Sequence, residues 1–67
     1  MYTGIVKFFN IKSRFGFITE KNSLMDYYFY VKDKNISFAA GEEVCFELMD
    51  SKKGKEAIEV RKSGTSA

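Results

Sequence analysis

Residues 26–31 of the chain read Asp-Tyr-Tyr-Phe-Tyr-Val and place five strand-forming residues in a row. Aromatic and β-branched side chains fit the pleated surface of a sheet, so the run predicts a strand covered on both faces. One cover would be the core, and the other would be a ligand. Because 67 residues make only one small domain, this strand restricts the fold to one that covers a sheet on both sides.

Four further runs have the same strand-forming character. They span residues 2–9, 15–19, 44–48 and 56–60, and none of them shows helical periodicity. The first run breaks strict alternation, which predicts a bulge or a strong bend. A short helical or 3₁₀ turn is expected within residues 32–40. A chain this short with five strands must close on itself to hide its edges, so an all-β fold with a small barrel is predicted.

The aromatic residues predict which face of this barrel is open. Phe15 and Phe17 flank Gly16 and lie on one side of an extended strand, because residues two apart share a face. Seven Phe and four Tyr are more ring surface than so small a core needs. The predicted open face carries Phe8, Phe15, Phe17, Tyr28 and Tyr30. The predicted core consists of Val6, Ile18, Tyr27, Phe29, Val31, Val44, Phe46 and Val60.

The charge distribution indicates the kind of ligand. The net charge is only +2, but five basic residues oppose two acidic ones in residues 1–32, where the aromatic residues are concentrated. Proteins that bind single strands combine a basic groove with rings on which bases stack. Lys7, Lys12, Arg14 and Lys32 lie among the rings, so single-stranded nucleic acid is the predicted partner. The alternative is a small protein-interaction module whose aromatic face takes a peptide or a second copy of the chain.

Other functions find little support in the composition. The chain has no His and a single Cys, Cys45, so the common acid–base, nucleophile and metal-ligand sets are missing. We therefore expect no enzyme activity, cofactor, metal or small-molecule substrate. The lone Cys indicates a reducing compartment, and neither a signal peptide nor a membrane-spanning run is evident, so a cytoplasmic location is expected.

Several motifs together resemble the bacterial cold-shock proteins, from residue 2 to about residue 61. Residues 4–10, Gly-Ile-Val-Lys-Phe-Phe-Asn, are similar to the family's G-x-V-K-W-F-N opening. Residues 15–18, Phe-Gly-Phe-Ile, are similar to its first ribonucleoprotein motif, K-G-[FY]-G-F-I, and residues 26–31 to the second, D-V-F-V-H-F. Residues 41–47 and 54–60 match two weaker motifs, G-x-x-V-x-F-x and G-P-x-A-x-x-V.

The resemblance implies a five-stranded antiparallel barrel of the OB-fold type that binds single-stranded RNA and DNA on its aromatic face. It implies an RNA chaperone that regulates transcription or translation without a cofactor. A monomer is expected, with a strand-exchanged dimer as the alternative. The domain would span residues 1–62, followed by a disordered or artificial tail at 63–67. The predicted nucleic-acid-binding residues are Lys7, Phe8, Lys12, Arg14, Phe15, Phe17, Asp26, Tyr28, Tyr30 and Lys53.

Some residues depart from the family pattern. Phe8 replaces a Trp, which keeps a stacking face but loses the larger ring, and Tyr30 replaces a His. Arg14 replaces a glycine, and if that glycine takes a positive φ, Arg14 predicts a different turn. Tyr27 occupies an inward aliphatic position, so its hydroxyl must reach the surface or a hydrogen-bond partner. The connection after Val31 is also shorter than the family's usual one.

Overall fold

A computed structural model of the chain describes residues 1–52 and 54–63, and these form an all-β domain. The strands are β1 (Tyr2–Asn10), β2 (Phe15–Glu20), β3 (Asp26–Tyr30), β4 (Glu43–Ser51) and β5 (Gly54–Lys62). Within the described ranges, no helix has the length and hydropathy needed to cross a membrane. Lys53 and residues 64–67, most of the predicted tail, lie outside the described residues.

The five strands close into a barrel in the order β1-β2-β3-β5-β4, which confirms the predicted fold class. Four of the pairs are antiparallel, and the pair of β3 with β5 is parallel. The reason is geometric. Strand directions cannot alternate all the way around a ring with an odd number of strands, so at least one pair must be parallel. This pair brings Tyr28 beside Glu56 and Phe29 beside Ala57.

The predicted irregularity in the first strand is a register shift between Val6 and Phe8 in the β1–β2 pair. Val6 is buried, whereas Lys7 and Phe8 are both exposed. A bulge inserts one residue into a ladder and re-aims the side chains after it. The shift therefore turns Phe8 outward, in register with Phe17 on β2.

The core lies on the predicted parity and closes the barrel interior. Its buried residues are Val6, Ile18, Phe29, Val31, Phe38, Val44, Phe46 and Ala57, and the partly buried Phe9, Tyr27, Leu48 and Val60 pack against them. Tyr27 and Val60 thus lie at the margin rather than in the centre of the predicted core. Gly16 is buried and has no room for a side chain. An added Cβ would lie 2.9 Å from the Phe29 ring and would also clash with the Phe8 carbonyl. The absence of a side chain there lets β1 and β2 approach over the core.

The connection from β3 to β4 contains no helix, but it does contain the short turn expected within residues 32–40, with the i-to-i+3 hydrogen bond of a 3₁₀ turn. It holds a single tight turn in which the Ile36 amide donates to the Asp33 carbonyl at 3.2 Å. The prediction of a different turn at Arg14 depends on the φ of the family's glycine and stays a prediction. Arg14 adopts φ 62°, the left-handed conformation that a glycine takes without strain, and its amide donates to the Asn10 carbonyl at 2.7 Å.

Candidate nucleic-acid interface

Four aromatic rings form a continuous patch on the outside of β1, β2 and β3, here called the ring cluster. Phe8 lies 6.0 Å from Phe15 and 5.6 Å from Phe17, measured between ring centroids. Tyr28 lies 5.8 Å from Phe15, in a stacked arrangement, and 6.0 Å from Phe17, edge to face. Both geometries are favourable for aromatic pairs, so the four rings support one another.

The strand register explains why these rings meet. Phe8 pairs with Phe17 across β1 and β2, Phe17 pairs with Tyr28 across β2 and β3, and Phe15 pairs with Tyr30. Residues directly opposite on adjacent strands point to the same face. Phe8, Tyr28 and Tyr30 remain 41%, 39% and 49% exposed, whereas Phe15 and Phe17 are half-buried between them. The structure therefore places all five predicted aromatic residues on one outward face.

A surface groove of about 680 Å³ extends this face toward the β4–β5 hairpin. Its aromatic wall is Phe17, Tyr28 and Tyr30, and the remaining lining residues are Ser51, Lys52, Lys55 and Glu56. Sequence reasoning missed Lys52, Lys55 and Glu56. Only the parallel pairing of β3 with β5 brings them to the rings, and no local pattern in the chain signals that pairing.

Lys7 lies beside the ring cluster and is held by an acidic partner. Its ammonium donates to Asp26 Oδ2 at 2.9 Å, and the Thr19 hydroxyl donates to Asp26 Oδ1 at 2.7 Å. The hydrogen bond from Lys7, followed by that from Thr19, lowers the pKa of the Asp26 carboxyl below its ordinary value of 3.8. Lys7 and Asp26, both predicted binding residues, therefore neutralise each other in the free protein.

Two further predicted basic residues, Lys12 and Lys53, and the unpredicted Lys55 lie in different surroundings. Lys12 is exposed in the β1–β2 turn and makes no hydrogen bond or ion pair with any described residue. Lys53 lies outside the described residues. Lys55 donates to Asp50 Oδ1 at 3.2 Å, and this hydrogen bond raises the pKa of the Lys55 ammonium. Lys12 is thus the predicted cation most available to a phosphate in the described part of the chain.

The Arg14 side chain does not join the ring cluster. It makes hydrogen bonds to the connection after β3. Its Nη2 donates to the carbonyls of Asp33 and Ile36, the latter at 2.5 Å. Its guanidinium carbon lies 5.7 Å from the centroid of the Phe9 ring, within cation–π range. Its Nε is buried without a partner among the described residues. The structure thus shows a structural role for Arg14, and its role in binding stays a prediction.

The described residues offer no alternative centre for metal chemistry. They contain no group of three or more His, Cys, Asp or Glu side chains placed to hold a metal ion. Cys45 is a half-buried free thiol on β4.

Residues 2–63 match the family model described as the 'cold-shock' DNA-binding domain. The chain belongs to this family. It is also 37% identical over 62 residues to the cold shock-like protein CspG of Shewanella violacea, an alignment that covers 87% of this chain and 89% of that protein. The match confirms the resemblance seen in the motifs. As a cold-shock domain, the chain is a nucleic-acid-binding module.

Proposed function

We propose that the chain binds unpaired RNA and DNA with low sequence specificity through the ring cluster, and that it acts as an RNA chaperone. The observation that carries the proposal is a continuous set of four rings across three adjacent strands, in which each ring contacts two others. Every base has a π-face, so a stacking surface of this kind accepts any sequence.

Unpaired strands are favoured because their π-faces are accessible. In a duplex, each base is stacked on its neighbours. Unstacking that base costs free energy, and it must happen before a protein ring can replace the neighbouring bases. In a loop or a melted strand, the bases can splay onto aromatic side chains directly. The exposed faces of Phe8 and Tyr28 support selective binding of single strands over duplexes.

The phosphates would be met by lysines at the two ends of the ring cluster. Lys12 lies in the β1–β2 turn, and Lys52 and Lys55 line the groove at the other end. Neither Lys12 nor Lys52 makes an ion pair with a described residue. Neutralising a phosphate releases condensed counterions, so the affinity should fall as salt concentration rises.

The chaperone role follows from mass action. A protein that binds the unpaired state but not the hairpin stabilises the unpaired state by an amount set by its free concentration and its dissociation constant. Such a protein melts weak hairpins in transcripts without a cofactor. Regulation of transcription or translation would follow where a hairpin controls either process.

A titration tests the binding proposal directly. Tyrosine fluorescence is followed while a single strand of mixed sequence, or the duplex of the same sequence, is added at low and at high salt. The proposal expects tight, salt-sensitive binding of the single strand and weak binding of the duplex. If the face instead binds a peptide or a second copy of the chain, neither the single strand nor the duplex should bind. Light scattering on the protein alone tests the expected monomer, since a mass equal to one chain would exclude a strand-exchanged dimer.

The chaperone activity needs its own test. A short RNA hairpin with a fluorophore and a quencher at its ends is melted with increasing protein. The proposal expects the melting temperature to fall as protein concentration rises. An unchanged melting temperature with intact single-strand binding would contradict the chaperone role and leave the binding proposal standing.

A further inference from the structure

A carboxylate ends the row of rings that crosses the barrel. Register pairs connect Phe8 on β1 with Phe17 on β2, Phe17 with Tyr28 on β3, and Tyr28 with Glu56 on β5. These side chains share the outward face, since the neighbouring pair Phe29 and Ala57 is buried inward. The row therefore reads ring, ring, ring, carboxylate, and its last member lines the groove.

Glu56 differs from the other acidic side chains of the described residues. Each of the others has a hydrogen-bond or ion-pair partner among those residues, as Asp50 has in Lys55 and Glu59 has in Arg61. Glu56 is half-buried and has none. A carboxylate that has no partner among the described residues and lies in a groove for a polyanion repels the phosphates, so it opposes binding unless a ligand group donates to it.

The chemistry of an ionised carboxylate selects the donor. It only accepts hydrogen bonds, and its two oxygens suit a pair of parallel N–H groups. Among the bases, guanine alone carries two adjacent donors, N1–H and the N2 amino group, on its Watson–Crick edge. Adenine and cytosine offer one amino group beside a ring acceptor. Thymine and uracil offer one N–H between two carbonyl oxygens, which the carboxylate repels.

We infer that Glu56 is a specificity-determining residue that selects guanine at the one position of a bound single strand that lies in the groove. Neighbouring strands are about 4.8 Å apart, so a base stacked on Tyr28 or Phe17 presents its edge to the next strand, where Glu56 lies. The groove, at about 680 Å³, is large enough for a base. The inference rests on the proposed function and refines it: the rings accept any base, and one position prefers guanine.

The test uses oligothymidine strands in which a single guanine is moved from position to position. Wild type is expected to bind one of these strands about tenfold more tightly than oligothymidine, the size of one bidentate base contact. Replacing that guanine by inosine, which lacks the N2 amino group, should remove much of the preference. Glu56→Gln should remove the guanine preference, and this variant should still bind oligothymidine. Glu59→Gln makes the same charge change outside the groove and should preserve the guanine preference.

The outcomes separate the inference from the proposed function. If wild type binds oligothymidine but shows no guanine preference at any position, the inference is wrong and the proposed function stands. The inference is also wrong if Glu56→Gln tightens binding of all strands equally, since Glu56 then acts only by repelling phosphates. If wild type binds no single strand at low salt, the proposed function itself fails and the inference fails with it.

Discussion

The ammonium of Lys7 and the carboxylate of Asp26 form an ion pair at 2.9 Å on the rim of the ring cluster. Asp26 also accepts a hydrogen bond from Thr19, so the pair joins β1, β2 and β3 at one point. Both groups are exposed enough to exchange partners. This relationship has consequences for stability in acid and for the salt dependence of binding.

The first consequence is a loss of stability at low pH. The folded-state pKa of Asp26 is lowered from 3.8, so its ionised form stabilises the fold above that pH. The stabilisation disappears as the pH falls through the lower folded-state value. Asp26→Asn should therefore be less stable than wild type at neutral pH and equally stable well below pH 3.8. Thermal unfolding across this range measures the difference. Glu56→Gln removes a carboxylate that has no partner among the described residues and is the control, and the same trend in that variant would contradict a specific role for Asp26.

The second consequence concerns which lysines meet phosphates. Each phosphate contact contributes a slope of about −0.7 to log affinity against log salt for single strands. Lys12→Gln should reduce the slope by about that amount, because Lys12 has no competing partner among the described residues. Lys7→Gln should reduce it less, since a phosphate must first displace Asp26. In an Asp26→Asn background, Lys7→Gln should have the full effect. If Lys7→Gln reduces the slope by the same amount in both backgrounds, the ion pair does not restrain Lys7.

The ring cluster leads to a third prediction, about stacking. Phe17 contacts both Phe8 and Tyr28, so its removal takes away one platform and loosens two others. Phe17→Ala should weaken binding of a short single strand by about 1–3 kcal/mol, the cost of one lost stacking partner. Leu24→Ala removes an exposed apolar side chain outside the cluster and should leave the affinity unchanged. Fluorescence titration gives both values. Retained affinity in a folded Phe17→Ala variant would refute stacking on this face.

The fold and the aromatic face could be predicted because both depend on short-range patterns. Alternation along β2 assigns Phe17 outward and Ile18 inward, and the register of β2 with β3 carries the same division to Tyr28 and Phe29. The bulge after Val6 also leaves a local signal, the break in alternation. These features need no knowledge of distant parts of the chain.

The groove could not be predicted in the same way. Glu56 reaches Tyr28 only through a parallel pair that closes the barrel, and closure depends on the path of the whole chain. Glu59 adopts φ 51° where the β4–β5 register shifts, although a glutamate gives no sign of a bulge. The orientation of Arg14 depends on the Asp33 and Ile36 carbonyls, which come close only in the folded state.

At Arg14, glycine should give a more stable protein than alanine, which is the reverse of the usual order of stability. A left-handed φ costs about 1–2 kcal/mol for a residue with a Cβ and nothing for glycine. Arg14 has φ 62° and offsets this cost with its hydrogen bonds to two carbonyls and its contact with Phe9. Arg14→Gly loses the contacts but also the strain, whereas Arg14→Ala loses the contacts and keeps the strain. Urea unfolding should rank wild type first, Arg14→Gly second and Arg14→Ala third, with about 1 kcal/mol between the two variants. Hydrogen exchange at the Ile36 amide should accelerate in both. An alanine variant more stable than the glycine variant would show that the turn adopts another conformation in solution.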